Sequence, residues 1–246
     1  MEIILFVILL GIAAAVIAYG VRSSSQKDAY LQETIERRKA FVASISPTAR
    51  VIVNNGTHLF FKDDVRQIFG VDESGKTYDF SGLHSISVHR DCINLMHRKS
   101  SGLCIGRDYS HKETTFPLDP TSIAAIKAEM LPVLRKNLYM VLEKAGVSPT
   151  HEYEHDGEIW GCDINSKKFY VAYGDFSVYN FSDLRRVTVE DLRNNSLYDG
   201  SYIIHVYVKS DFDWGDDEFE IHFKEQNSTF DSLLSMFKGI QNRKYR

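Results

Sequence analysis

Two separated stretches of this chain read alike, and this constrains the fold more than any other feature. The first runs His58-Leu-Phe-Phe-Lys-Asp63, Phe69-Gly-Val71, Tyr78-Asp-Phe80-Ser81-Gly-Leu83 and Ile86-Ser-Val88. The second runs Glu158-Ile-Trp-Gly-Cys-Asp163, Phe169-Tyr-Val171, Tyr179-Asn-Phe181-Ser182-Asp-Leu184 and Val187-Thr-Val189. One single-residue gap brings them into register, with Tyr-x-Phe-Ser-x-Leu at the centre. Self-similarity of this kind marks a duplicated module. Residues 50–146 and 158–246 are therefore expected to form two β-rich modules joined by a linker over 147–157.

The strands are clearest in the second copy. Lys168 to Tyr173 and Phe176 to Phe181 flank Gly174-Asp175, a tight-turn pair. Ser201 to Val208 is rich in Ile, Val and Tyr, and Glu218 to Phe223 alternates so that Phe219, Ile221 and Phe223 face one side. Each copy ends in a helix. Asp119-Pro120 announces the first, with Ile123, Ile126, Met130, Leu134, Leu138 and Val141 as its stripe, a kink at Pro132 and a stop at Gly146. Phe230, Leu233, Leu234 and Phe237 mark the second. A terminal helix covers the open apolar face of a sheet.

Asp163 with Tyr179, Phe181, Ser182, Asp183 and Leu184 carries a resemblance, as do Asp63, Tyr78, Phe80, Ser81 and Leu83, where Gly82 replaces the aspartate. The pattern resembles small pleckstrin-homology-like (PH-like) domains. More narrowly, it is similar to uncharacterised bacterial membrane-anchored proteins with such modules. The resemblance covers roughly residues 55–246 and implies a binding platform for lipid headgroups, peptides or proteins. Neither first hairpin has the dense basic loop of a phosphoinositide binder.

From Ile3 to Val21 the chain is almost wholly apolar. About 19 helical residues at 1.5 Å each just span a bilayer core. Residues 1–22 are thus expected to be a retained single-pass transmembrane anchor, and a cleaved signal peptide is the rival reading. Arg22, Lys27, Arg37, Arg38 and Lys39 follow the span, so the positive-inside rule puts the rest in the cytoplasm, at the cell (inner) membrane. Residues 23–46 read as a helical stalk with Leu31, Ile35, Val42 and Ile45 at helical spacing; a self-association helix is the alternative. The fold class expected is α+β: a transmembrane helix and then two tandem antiparallel PH-like modules.

Three scattered cysteines, Cys92, Cys104 and Cys162, suit a reducing compartment. A net charge of -4 argues against a nucleic-acid partner. Asn55-Gly-Thr, Asn180-Phe-Ser, Asn194-Asn-Ser and Asn227-Ser-Thr are formal glycosylation sequons, read here as ordinary turns. His151-Glu152-Tyr153-Glu154-His155 is a formal H-E-x-x-H; on a helix it would place two imidazoles on zinc beside a general base. That makes a metal-dependent hydrolase the enzyme alternative. Trp214, with Asp213 and Asp216 beside it, reads as a hairpin-tip contact for a protein partner. His97, Arg98 and Lys99 read as a basic patch suited to lipid headgroups. The reading expected is a non-catalytic scaffold with no cofactor.

Overall fold

A computed structural model describes residues 26–89, 91–98, 100–106, 117–193, 201–209 and 215–242. It opens on a helix, α1 (residues 26–45). The first half continues with β1 (Arg50–Asn54), β2 (Leu59–Asp63), β3 (Ile68–Val71), β4 (Thr77–Asp79), a 3₁₀ turn at Phe80–Gly82, β5 (Leu83–Val88), β6 (Cys92–His97), β7 (Ser100–Gly106) and α2 (Pro120–Lys144). The second half has β8 (His151–His155), β9 (Glu158–Asp163), β10 (Lys168–Tyr173), β11 (Asp175–Asn180), a 3₁₀ turn at Phe181–Asp183, β12 (Leu184–Asp191), β13 (Tyr202–Lys209), β14 (Asp216–Phe223) and α3 (Ser228–Gln241). Each half is a four-stranded antiparallel meander, a three-stranded one and a helix.

The expectation of a transmembrane architecture is corrected. Among the described residues no helix is long and apolar enough to cross a membrane. The chain is instead an α+β protein of several antiparallel sheets and, among the described residues, three α-helices. The expected span, residues 1–22, lies outside the described residues. Two further expectations shift. The helix read as a stalk lies flat on β1 and β2, with Phe41, Val42 and Ile45 against Val51, Leu59 and Phe61. The segment read as a linker contains β8, so the second four-stranded sheet begins inside it.

Local chemistry accounts for the helix ends. The Asp119 carboxylate caps α2, accepting from the Ser122 backbone N–H at 2.9 Å. The helix runs unbroken through Pro132 and ends at Gly146, whose φ of +65° suits a residue without Cβ. There Gly146 N–H bonds Glu143 O and Val147 N–H bonds Leu142 O, closing the Schellman pattern. Asn227 caps α3 by accepting from Thr229 and Phe230 N–H, both at 3.0 Å. Asn55 likewise accepts from Thr57 and His58 N–H in a turn. These sequon asparagines are thus used as caps and turns, as read from the sequence.

The repeat also extends into a motif that the aligned stretches do not include. Ser46-Pro47-Thr48 follows α1, and Ser148-Pro149-Thr150 follows α2. Both lead back to an aspartate at the end of the second strand. Asp63 is fully buried and accepts from the Ser46 and Thr48 hydroxyls and from Val65 and Arg66 N–H. Asp163 accepts from Ser148 and Asn165 N–H and from the Ser166 hydroxyl. Burial pushes the Asp63 carboxyl upward, but the bonds from Ser46, Thr48, Arg66 and Val65 outweigh it and hold it at about 2. Each aspartate ties the exit of one helix to the β-turn of the next sheet.

The core follows from strand alternation. In β9 and β10, Trp160, Cys162, Phe169 and Val171 face a core closed by α3, with Phe237, Leu233 and Phe230. Their neighbours Ile159, Tyr170 and Ala172 face the other way, into a core with Ile126, Met130, Leu134 and Leu138 of α2 and Ile86 of β5. A sheet buried on both faces joins the two halves. The scheme recurs: α1 covers the outer face of the first four-stranded sheet, and α2 covers that of the second. The α2 helix thus closes the first module and roofs the second.

Candidate functional site

A groove of about 680 Å³ opens where α2 meets the β2–β3 turn. Its apolar floor is Phe80, Pro132, Val133 and Met140, and both signs of charge stand around it: Lys62, Arg66 and Lys136, and the carboxylates of Asp64 and Asp79. The floor is held from below. Asn137 donates from Nδ2 to the carbonyls of Phe80 (2.6 Å) and Leu83 (2.8 Å), pinning the 3₁₀ turn to the helix. Lys62 is spent on Asp64 (2.9 Å) and Glu129 (3.2 Å). Arg66 donates to the Ile45 carbonyl at 2.7 Å, and among the described residues no carboxylate pairs with it or with Lys136. Met140 is half exposed, and Tyr139 on the same turn is 45% exposed. The groove therefore offers an apolar contact with Arg66 and Lys136 free of ion pairs among the described residues, while its Asp64 carboxylate is already paired with Lys62 and Arg50 and Asp79 stands at its edge.

A second cleft, of about 580 Å³, lies between the halves. It takes His89 from the first half and His155, Glu158, Tyr173, Glu220 and His222 from the second. His155 Nε2 is 2.6 Å from the His222 carbonyl oxygen, and its ring stacks on Phe223 at 3.9 Å between centroids. Burial pushes the Glu158 carboxyl up to about 8, and the Asp156 carboxylate adds to the rise. The folded protein thus holds this proton more tightly than the unfolded chain does, so stability falls as pH rises from about 4.5 through about 8. Glu158→Gln should therefore raise the melting temperature at pH 8 and leave it nearly unchanged at pH 4, measured by circular dichroism. Equal shifts at the two pH values would contradict this.

On the outward face of β12–β14, His205 lies directly across from Glu220. Its Nδ1 is 2.7 Å from Glu218 and 4.0 Å from Glu220, and its Nε2 is 3.2 Å from Glu190. Atoms of His205, Glu218 and Glu220 lie within 4.8 Å of one another, close enough to share a metal ion. The Glu218 carboxyl is held below its usual range by the Tyr207 hydroxyl and then by His205.

The residues singled out from the sequence fare differently. Asp213, Trp214 and Lys99 lie outside the described residues. Asp216 opens β14 as the Cα partner of Lys209, and its carboxylate is 3.9 Å from Arg185 Nε. His97 is corrected from a surface group to a core one. It follows Ile93 and Leu95 on the inward side of β6 and is fully buried. Its ring meets Tyr78 edge-on at 5.2 Å, and its Nε2 is 2.9 Å from the Asp79 carbonyl. Arg98 is left exposed, so His97 does not share a surface patch with it as expected.

His151-Glu152-Tyr153-Glu154-His155 is strand β8, not a helix. Alternation puts the two histidines on one face and Glu152 on the other, with the histidines about 13 Å apart at strand rise. The zinc geometry read from the motif is absent. Glu152 instead accepts from Tyr139 (2.9 Å) and Tyr170 (3.2 Å) hydroxyls and pairs with Arg135 at 3.1 Å, binding β8 to α2. Cys162, 4.0 Å from the His151 ring, is buried, and burial pushes its thiol up to about 11, far from a reactive thiolate.

No family model, no curated protein and no solved structure matches this chain. The geometry defines its class: an α+β protein of two interlocked sheet-and-helix modules, with a groove on the helix they share.

Proposed function

We propose that this chain is a non-catalytic binding protein that uses the groove on α2 to hold a peptide segment of another protein. The occupant is an acidic segment with one apolar anchor. The observation that supports this is the pairing, in one groove, of Arg66 and Lys136, neither in an ion pair among the described residues, with the apolar floor of Phe80, Val133 and Met140, the lining carboxylate Asp64 being held by Lys62 and Arg50. The volume lies in the range of ligand pockets, and a buried anchor ringed by charge is the usual anatomy of a binding hot spot. The rigid backing from Asn137 and from the second sheet keeps the groove open without an ordering cost on binding. This reading moves the contact surface from the 213–216 loop, expected from the sequence, to α2.

A displayed library of random peptides tests it. Acidic peptides with a single aliphatic or aromatic anchor should be enriched on the full chain. The double variant Lys136→Glu, Met140→Asp should lose them by at least about tenfold, or roughly 1.4 kcal/mol. Both positions are exposed, so the fold should survive. No enrichment, or enrichment that the double variant retains, would sink the proposal.

A further inference from the structure

The geometry points to a divalent transition-metal site on the outward face of β12–β14, in which His205, Glu218 and Glu220 bind one zinc-class ion and Glu190 orients the imidazole. The face sets three carboxylates, Glu190 on β12 and Glu218 and Glu220 on β14, around the single imidazole of β13. Like charges on one sheet face repel; Arg186, across from Tyr207 on that face, offsets part of the repulsion, and a bound cation would offset more.

The distances fit the ion. Zinc holds nitrogen and oxygen ligands at about 2.0–2.2 Å, which sets neighbouring ligand atoms of a tetrahedron roughly 3.3 Å apart. His205 Nδ1 lies 2.7 Å from Glu218 and 4.0 Å from Glu220, on either side of that value. Small side-chain rotations would equalise them. The strand register supplies the arrangement, because Glu220 is the direct partner of His205 and Glu218 lies two residues along on the same face.

Two further side chains brace the ligands. Glu190 sits 3.2 Å from His205 Nε2, the nitrogen that the metal would not use. A carboxylate there fixes the tautomer and raises the basicity of the ligating nitrogen. His222 Nε2, 3.2 Å from Glu220, steadies that carboxylate in the same way. One imidazole with two carboxylates favours zinc-class ions. Calcium takes six to eight oxygens, which three side chains do not provide. Three protein ligands leave the fourth position to water.

Equilibrium dialysis of the full chain against zinc chloride, followed by metal analysis, tests the site. One equivalent should bind, with affinity lower by roughly 10–100-fold in Glu190→Gln, which loses the partner of the imidazole, and by at least as much in Glu220→Gln, which loses a ligand. His205→Gln should remove the site. Glu220→Gln is an isosteric change at an exposed position, so it remains informative if His205→Gln misfolds; circular dichroism reports folding in each case. His151→Gln, on a different strand, should bind as the unaltered chain does. No uptake by the unaltered chain, or uptake by folded Glu220→Gln and Glu190→Gln as tight as by the unaltered chain, would overturn the inference.

Discussion

Trp160→Ala is expected to cost about 3–5 kcal/mol of stability and to loosen α3, whereas Ile159→Ala, one residue earlier, should cost about 2–5 kcal/mol and loosen α2. The two side chains leave the same strand on opposite faces. Trp160 is fully buried, edge-on to Phe237 of α3 at 6.0 Å and to Phe219 of β14 at 5.9 Å. Ile159 is equally buried but belongs to the core built by α2 and β5. Removing either leaves a cavity in a close-packed interior, and the loss exceeds simple transfer of the missing atoms to water. Urea unfolding gives the costs. Similar loosening of α3 by both variants, seen in hydrogen exchange, would count against the two-faced sheet.

Gly161→Val is expected to cost about 3 kcal/mol, the upper end for overpacking, although it adds only apolar atoms. Gly161 lies in register between Tyr170 on β10 and Glu152 on β8. The Tyr170 side chain crosses over the glycine to bring its hydroxyl to Glu152, 3.2 Å away. A Cβ at 161 would meet the Tyr170 hydroxyl and stand 2.6 Å from the His151 carbonyl oxygen, a backbone atom that cannot step aside. Gly70 has the same role in the first half, where the Phe61 ring lies over it. An aromatic ring covering a strand glycine is a known way to pin register. If Gly161→Val melts within a degree of the unaltered chain, this packing is wrong.

Much of the fold was legible. The alternation of Glu218–Phe223 marks β14, and Asp119-Pro120 and Gly146 bracket α2 within a residue. The unread parts have identifiable causes. Periodicity shows that α1 has an apolar stripe but not what covers it, so the helix was read as a stalk. The H-E-x-x-H spacing suggested a helix, yet Asp156-Gly157 follows it at once. That pair takes φ of +48° and +91°, the turn of a two-residue hairpin, and was the signal for a strand. His97 falls in step with Ile93 and Leu95, which places it inward, but its neighbours Arg98 and Lys99 suggested a charged run. Ser46-Pro-Thr and Ser148-Pro-Thr were readable as a second repeat signature. The groove was not, because it joins a turn to a helix distant in sequence, and no local pattern links Arg66 to Lys136.

The second four-stranded sheet belongs to both cores. Segment-resolved hydrogen exchange on the unaltered chain and on Ile159→Ala tests this. The account predicts that the substitution, made in β9, lowers protection across α2 and β5 while α3 is affected less. Loss of protection confined to β8–β14 and α3, with α2 unchanged, would contradict it.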